Sequence, residues 1–242
     1  MPAPVEIVHR RGTVAELHAL DPFGERAVTG PQIWRCDPID AAAVLGSRQD
    51  DDTLNADACA REGLNVVRRR SGGGLVVMQP ESVAWIDVVL PHGLAPDDVR
   101  GSMVWVGEAW ADAVADLDRG TERIAVHRGG MVDTPWSDLV CFAGLGPGEV
   151  LTGDRKLVGL SQRRTRRGVR VQALVHHVSL AALTAGVLAG DLPAEPLAEP
   201  AVRPGWSAAT LATRLAASVA RRVAAPTIVS TTPSATPRTT PL

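Results

Sequence analysis

Apolar positions along this chain recur with two distinct periods. From Pro96 to Asp118, Val99, Met103, Val106, Trp110, Val114 and Leu117 return every three or four residues. That is the spacing of one helix face, and the segment is predicted as a helix. Asp97 and Asp98 stand at its start, where the helix dipole favours negative charge. Trp105 and Trp110 on this segment are expected in core packing rather than as a base-stacking pair. Elsewhere, short apolar runs end at glycine, proline or aspartate and predict strands. These cover Val5–His9, Gln32–Cys36, Ala42–Leu45, Leu64–Arg68, Leu75–Met78, Ala84–Leu90, Arg123–His127, Leu139–Phe142, Glu149–Thr152 and Gly168–Val175. Gly153-Asp154 reads as a two-residue hairpin whose outgoing strand carries Lys156 and runs to about Leu160. Shorter helices are predicted at Thr13–Leu20, where Thr13 and Glu16 form a capping pair, and at Thr53–Glu62, ended by Gly63. Two alanine-rich helices follow at Val178–Ala189 and Ser207–Val223.

This string divides into a main domain over 1–190, a proline-spaced linker over 191–205, a helix over 206–224 and a Thr/Pro-rich tail over 225–242. The tail lacks the apolar residues for a core and is expected to be disordered. Of the 242 residues 45% are hydrophobic, enough for a sizeable core. The net charge of −2 implies no global attraction to nucleic acid or membrane. Cys36, Cys59 and Cys141 are too few and too scattered for a disulfide framework or a paired-cysteine metal site. No signal-peptide pattern opens the chain, and the longest apolar stretch, near Leu180 to Ala189, is too short to span a bilayer. A reduced, cytoplasmic protein is expected. Asp50-Asp51-Asp52 reads as a solvated turn before a helix rather than as a metal site.

Two stretches carry candidate chemistry. Lysine and arginine together number 25, and Lys156 is the single lysine among them. Arginine is a planar, bidentate cation, whereas lysine is a compact charge on a flexible stem. One lysine in the glycine-flanked run Gly153-Asp154-Arg155-Lys156-Leu157-Val158-Gly159 points to a task arginine does not perform. The second stretch is Arg68-Arg69-Arg70-Ser71-Gly72-Gly73-Gly74-Leu75-Val76-Val77, set between two apolar runs. Glycines leave backbone N–H groups open to close approach, and successive N–H groups form an anion-binding concavity. Adjacent arginines suit a phosphate or carboxylate. A flexible loop with a solvated basic end is the plain alternative. The arginine run Arg163, Arg164, Arg166, Arg167 and Arg170 has no interleaved aromatics for single-strand stacking. It reads as a solvated face or as a docking place for an acidic partner.

These stretches resemble a known family. Arg68 to Val76 is similar to the Arg-Arg-x-Ser-Gly-Gly-Gly-x-Val motif of lipoate–protein ligases and related lipoyl and octanoyl transferases. Gly153 to Arg163 is similar to their Gly-x-x-Lys-x-x-Gly-x-Ala/Ser-Gln-Arg segment. Ile33-Trp34-Arg35, Gly46-Ser47-Arg48-Gln49 and Asn65-Val66-Val67 fall in the family's order and spacing, so the likeness runs from about Gln32 to His177. The resemblance implies an α+β catalytic domain of the biotin/lipoate ligase kind, with mostly antiparallel sheets flanked by helices. It implies ATP-dependent activation of lipoate or octanoate to acyl-AMP with Mg²⁺, then transfer to a lysine of a lipoyl carrier domain. That carrier would be a 2-oxoacid dehydrogenase acyltransferase subunit or a glycine cleavage H protein. Membrane and nucleic acid are not the expected partners.

The resemblance makes Lys156 the catalytic residue. Arg69, Arg70, Ser71, Gly72, Gly73, Gly74, Leu75, Val76, Val77 and Gly159 would hold ATP and the acyl-adenylate, with Leu75, Val77 and Trp85 as walls for the acyl chain. The metal ligands stay unassigned. Two positions depart from the family pattern. Val77-Met78-Gln79 stands where an aromatic, a His and an acid or amide are frequent, and Ala173 stands where a His is frequent. Octanoyltransferases of this fold that use a cysteine nucleophile give a second expectation, with Cys141 as nucleophile and no ATP. A non-catalytic acyl- or partner-binding member of the fold is the third.

Overall fold

The computed structural model describes residues 4–25, 27–117, 122–190 and 199–225. Helix α1 (Val14–Ala19) follows strand β1 (Glu6–Gly12), and β2 (Gln32–Pro38) and β3 (Ala42–Leu45) come next. Helix α2 (Ala56–Arg61) leads to β4 (Asn65–Arg68), β5 (Val76–Met78) and β6 (Val83–Pro91). Helix α3 (Val99–Ala115) precedes β7 (Ile124–Val126), β8 (Val150–Thr152), β9 (Arg155–Thr165) and β10 (Gly168–His176). Helices α4 (Ala181–Val187) and α5 (Ala208–Ala224) complete the described order. The result is the expected α+β class.

Two sheets carry the molecule. The larger has seven strands in the order β1-β2-β6-β10-β9-β8-β7, antiparallel except for β1 beside β2. The smaller is β4-β3-β5, with β3 parallel to β4 and antiparallel to β5. Strand alternation sorts their side chains into layers. On β6, Ala84, Ile86, Val88 and Leu90 meet α3 and α5 in one core, whereas Val83, Trp85 and Val89 face the small sheet in a second. On the small sheet, Val44 and Met78 face inward to that second core, while Ala43, Leu45, Leu75 and Val77 face a third core built with α2 and α4. Both faces of β6 are therefore covered, and its first eight residues are all buried.

Sequence expectations fail at identifiable places. Leu139–Phe142 is not a strand. A single parallel bridge joins Leu75 to Val140, and the chain then turns in a 3-10 helix over Cys141–Ala143. The helix expected over Thr53–Glu62 begins at Ala56, because Asp51–Thr53 forms a 3-10 turn and Asn55 caps the helix through its side chain. The long helix begins at Val99 because Asp98 is the cap, its carboxylate accepting from Gly101 N. Strand β9 continues past Leu160 to Thr165, the polar residues being held by pairing with β10. Trp110 is buried and Trp105 packs at the edge of the same core.

Residues 199–203 do not run free. Ala201 N donates to Lys156 O, Arg203 N donates to His176 O, and Arg155 donates to Pro200 O. Helix α5 buries Leu211, Leu215 and Val219 against α3 and the large sheet. The expected tail over 225–242 lies outside the described residues apart from Ala225, as does most of the expected linker. No described helix is long and apolar enough to cross a membrane.

Candidate active site

The glycine stretch joins β4 to β5, the two outer strands of the small sheet, and so crosses the end of β3. Arg69 fastens it from within. Its guanidinium is 4% exposed and donates to Val44 O, Gly72 O and Gly74 O. Burial pulls its pKa below the usual arginine range, partly opposed by the Cys141 thiol beside it. Arg69 is thus engaged by the loop itself. Arg70 next to it is exposed. Gly73 adopts φ +99°, a conformation that side chains disfavour. Gly74 lies so close to Val140–Cys141 that a Cβ there would stand 2.7 Å from the Val140 carbonyl carbon. Gly72 faces open space. The loop is therefore docked on the Cys141 turn at one end and open at the other.

Between the two sheets lies a small apolar pocket of about 50 Å³, walled by Val44, Val76, Met78, Trp85, Phe142 and Leu174. Cys141, Gly159, Ser161, Gln172 and His18 also line it. Trp85, expected as an apolar wall, lines this pocket. Alternation on β5 turns Leu75 and Val77 into the third core, so Val76 and Met78 line the pocket on this strand. Ser71 is buried and donates toward Ser161 Oγ at 3.0 Å and Gln172 Oε1 at 3.3 Å, linking the glycine loop to β9 and β10.

Lys156 is 6% exposed. Its ammonium donates to Cys141 O at 2.8 Å and lies 2.7 Å from Glu149 Oε2. Glu149 is equally enclosed and also accepts from Gly146 N and Leu160 N. A bulge controls this placement. Val150 pairs with Val158 but Leu151 pairs with Lys156, so Leu157 is the extra residue on β9. In a regular strand Lys156 and Gly159 would face opposite sides. Here both reach Phe142, with the ammonium 5.3 Å from the ring centroid and the ring where a Gly159 Cβ would stand. Lys156 faces a separate cleft of about 480 Å³ that it shares with Arg155, Asp154, Leu151, Thr134 and Glu199. Phe142 borders both cavities, so one aromatic ring separates the pocket from the lysine.

Glu149 gave no signal in the sequence, because a lone glutamate seven positions before a lysine is unremarkable until the hairpin folds back. His18 was equally silent on a six-residue helix. Its ring tilts against Trp85 with centroids 4.5 Å apart, and Nδ1 lies 3.0 Å from Gln172 Nε2. Burial, then the charges of Arg170 and Arg69, lower its pKa to about 3. Three members of the arginine run serve the fold. Arg170 lies 2.6 Å from Asp87 and donates to Leu17 O and Leu20 O, Arg164 donates to Pro96 O, and Arg167 donates to Phe23 O. The acidic run contributes Asp51 to an ion pair with Arg68. Among the described residues no cluster of three or more His, Cys, Asp or Glu side chains is placed to hold a metal.

Residues 29–187 match the family model described as the lipoyl protein ligase A/B catalytic domain. A search of curated proteins found no match. Among solved structures, the chain is similar to lipoate-protein ligase A bound with ATP, at 15% identity and TM-score 0.68, covering 92% of this chain and 86% of that one. It is similar to the bi-partite lipoate protein ligase of Thermoplasma acidophilum, described with its E2 lipoyl domain, at 16% identity and TM-score 0.68, covering 92% and 84%. A third likeness is to P. falciparum LipL1 in complex with lipoate, at 10% identity and TM-score 0.64, covering 90% and 62%.

Proposed function

Because the chain belongs to the family of lipoyl protein ligase A/B catalytic domains, we propose that it attaches a lipoyl or octanoyl group to a lysine of a lipoyl carrier domain, after activating the free acid with ATP. The observation that carries this reading is the apolar pocket between the sheets, with the glycine loop on one side and the strand of the sole lysine on the other. Among solved neighbours of the fold, one is bound with ATP, one is in complex with lipoate and one is described with its E2 lipoyl domain, and these support the three substrates. The carrier is of the 2-oxoacid dehydrogenase acyltransferase or glycine cleavage H type, and the setting is the cytoplasm.

In the first step a carboxylate oxygen attacks the α-phosphorus of ATP and pyrophosphate leaves. In the second the carrier amine attacks the acyl carbonyl, loses its proton, and AMP leaves. Charge develops on oxygen in both steps, so a fixed cation near the reacting centre is the main protein contribution. Lys156 supplies that cation, held by Glu149 one ring away from the pocket. The open N–H groups of Gly72 and Gly73 and the exposed Arg70 offer sites for phosphate oxygens. Mg²⁺ accompanying ATP needs only one or two protein carboxylates. Asp154 and Glu199 face the lysine cleft and fit that need.

One observation favours a second reading. The Cys141 thiol lines the acyl pocket beside the buried Arg69 cation, whereas Lys156 does not line it. In this route the Cys141 thiolate attacks an acyl thioester and releases the donor thiol. The carrier amine then takes the acyl group and the Cys141 thiol is restored. Pyrophosphate release with ATP, Mg²⁺ and octanoate or lipoate separates the two. The first reading expects acid-dependent release that Lys156→Ala abolishes and Cys141→Ser retains. No release from the unaltered protein, with acyl transfer from octanoyl-carrier protein onto Cys141, would replace the first reading by the second.

A further inference from the structure

A hydrogen-bonded series runs from the glycine loop across the pocket. Ser71 Oγ is a donor and reaches Gln172 Oε1 at 3.3 Å. The Gln172 amide nitrogen therefore faces the other way, and it meets His18 Nδ1 at 3.0 Å. An amide N–H donates only, so Nδ1 accepts and the proton of the neutral ring resides on Nε2. That Nε2 is buried and has no hydrogen-bond partner. A buried unpaired donor destabilises a fold unless something meets it. His18 and Gln172 also form the wall shared by the apolar pocket and a neighbouring polar cavity lined by Arg70, Arg163, Arg170 and Asp21, where Arg163 faces Asp21 and Arg170 is paired with Asp87. The imidazole thus stands where an apolar chamber meets a charged one in which Arg70 is the exposed cation.

We propose that His18 is a substrate-positioning residue, its Nε2–H donating to the carboxyl oxygen of the bound acyl group at this junction. This rests on the acyl-binding reading above and names a contact for it. The tail lies along the apolar wall of Val44, Val76 and Met78, and the oxygen-bearing head is drawn to the His18–Gln172–Ser71 end. Ring stacking on Trp85 fixes the plane of the imidazole and the Gln172 amide fixes its tautomer. Because the ring stays neutral down to about pH 3, the donor is unchanged across the physiological range.

The test is calorimetric binding of octanoate, lipoate and 1-octanol to the full chain, with no ATP. His18→Phe keeps a ring on Trp85 and removes the donor, and His18→Asn keeps a donor. The proposal expects His18→Phe to weaken both acids at least about tenfold, to leave 1-octanol within about twofold, and to raise the melting temperature by removing the unpaired group. His18→Asn should recover part of the affinity. Unchanged acid affinity in His18→Phe overturns the proposal and leaves the acyl-binding reading standing. A loss confined to lipoate would place the imidazole at the dithiolane end and also overturns it. Absence of acid binding in the unaltered protein overturns both.

Discussion

At the scale of single residues, the Glu149–Lys156 pair carries the greatest weight. Both groups are about 95% enclosed and bonded to the surrounding backbone as well as to each other. Removing one member of a buried pair leaves an uncompensated charge, at about 3–5 kcal/mol. Glu149→Gln should therefore lower the urea midpoint strongly, while Glu149→Asp keeps the charge and loses less; equal midpoints for all three proteins would deny the pair a structural role. His176 gives a pH dependence. It is buried against the edge of Phe142, and burial lowers its pKa to about 4. Between about pH 6.5 and that value the unfolded chain binds a proton that the folded chain does not. Stability is thus complete above the window and falls as pH drops through it, by about 3 kcal/mol at the lower end. In His176→Gln this part of the fall should be absent from denaturation midpoints compared with the unaltered protein over the same range.

At the scale of elements, the site depends on how a bulge, a turn and a short helix are held. Strand β9 must carry Leu157 as an extra residue for Lys156 and Gly159 to share a face. The sequence placed Lys156 on a strand but held no sign of the bulge, because register is set by the partner strand rather than by local pattern. The apolar run Leu139 to Phe142 illustrates the same limit. Such runs do not distinguish a strand from a turn packed in a core, and here docking of Gly74 on Val140 decides. Local rules succeeded where the signal was local. Thr13 and Glu16 form the expected capping box, and Gly153-Asp154 makes the expected hairpin. Helix α1, which brings His18 to the pocket, is pinned by Arg170 through Leu17 O and Leu20 O. Asp87, its carboxyl raised by burial, depends on the same guanidinium. Arg170→Met should destabilise by about 3–5 kcal/mol, and Arg170→Met with Asp87→Asn by less. A double variant no more stable than the single one would contradict that coupling.

At the scale of the molecule, three layers of core enclose the pocket between two sheets, and α5 closes the outermost layer. The short apolar runs and the amphipathic helix were legible in the sequence, and the α+β class came from the family resemblance of the two motifs. The seating of α5 was not, since an alanine-rich helix after a proline-spaced stretch carries no mark of what it covers. A chain ending before Ser207 would expose Val106, Trp110 and the large-sheet face that Leu211, Leu215 and Val219 now cover. It should lose cooperative thermal unfolding; a sharp transition near that of the full chain would show that α5 is dispensable. The two readings of function differ in which group first holds the acyl chain, and they share its destination. The most direct measurement is the intact mass of a lipoyl carrier domain incubated with this protein, octanoate, ATP and Mg²⁺, beside a carrier whose target lysine is replaced by arginine. The account predicts one octanoyl adduct on the unaltered carrier, none on the arginine variant, and none when Lys156→Ala replaces the unaltered enzyme. A carrier left unmodified both with octanoate and ATP and with an octanoyl thioester donor would contradict it.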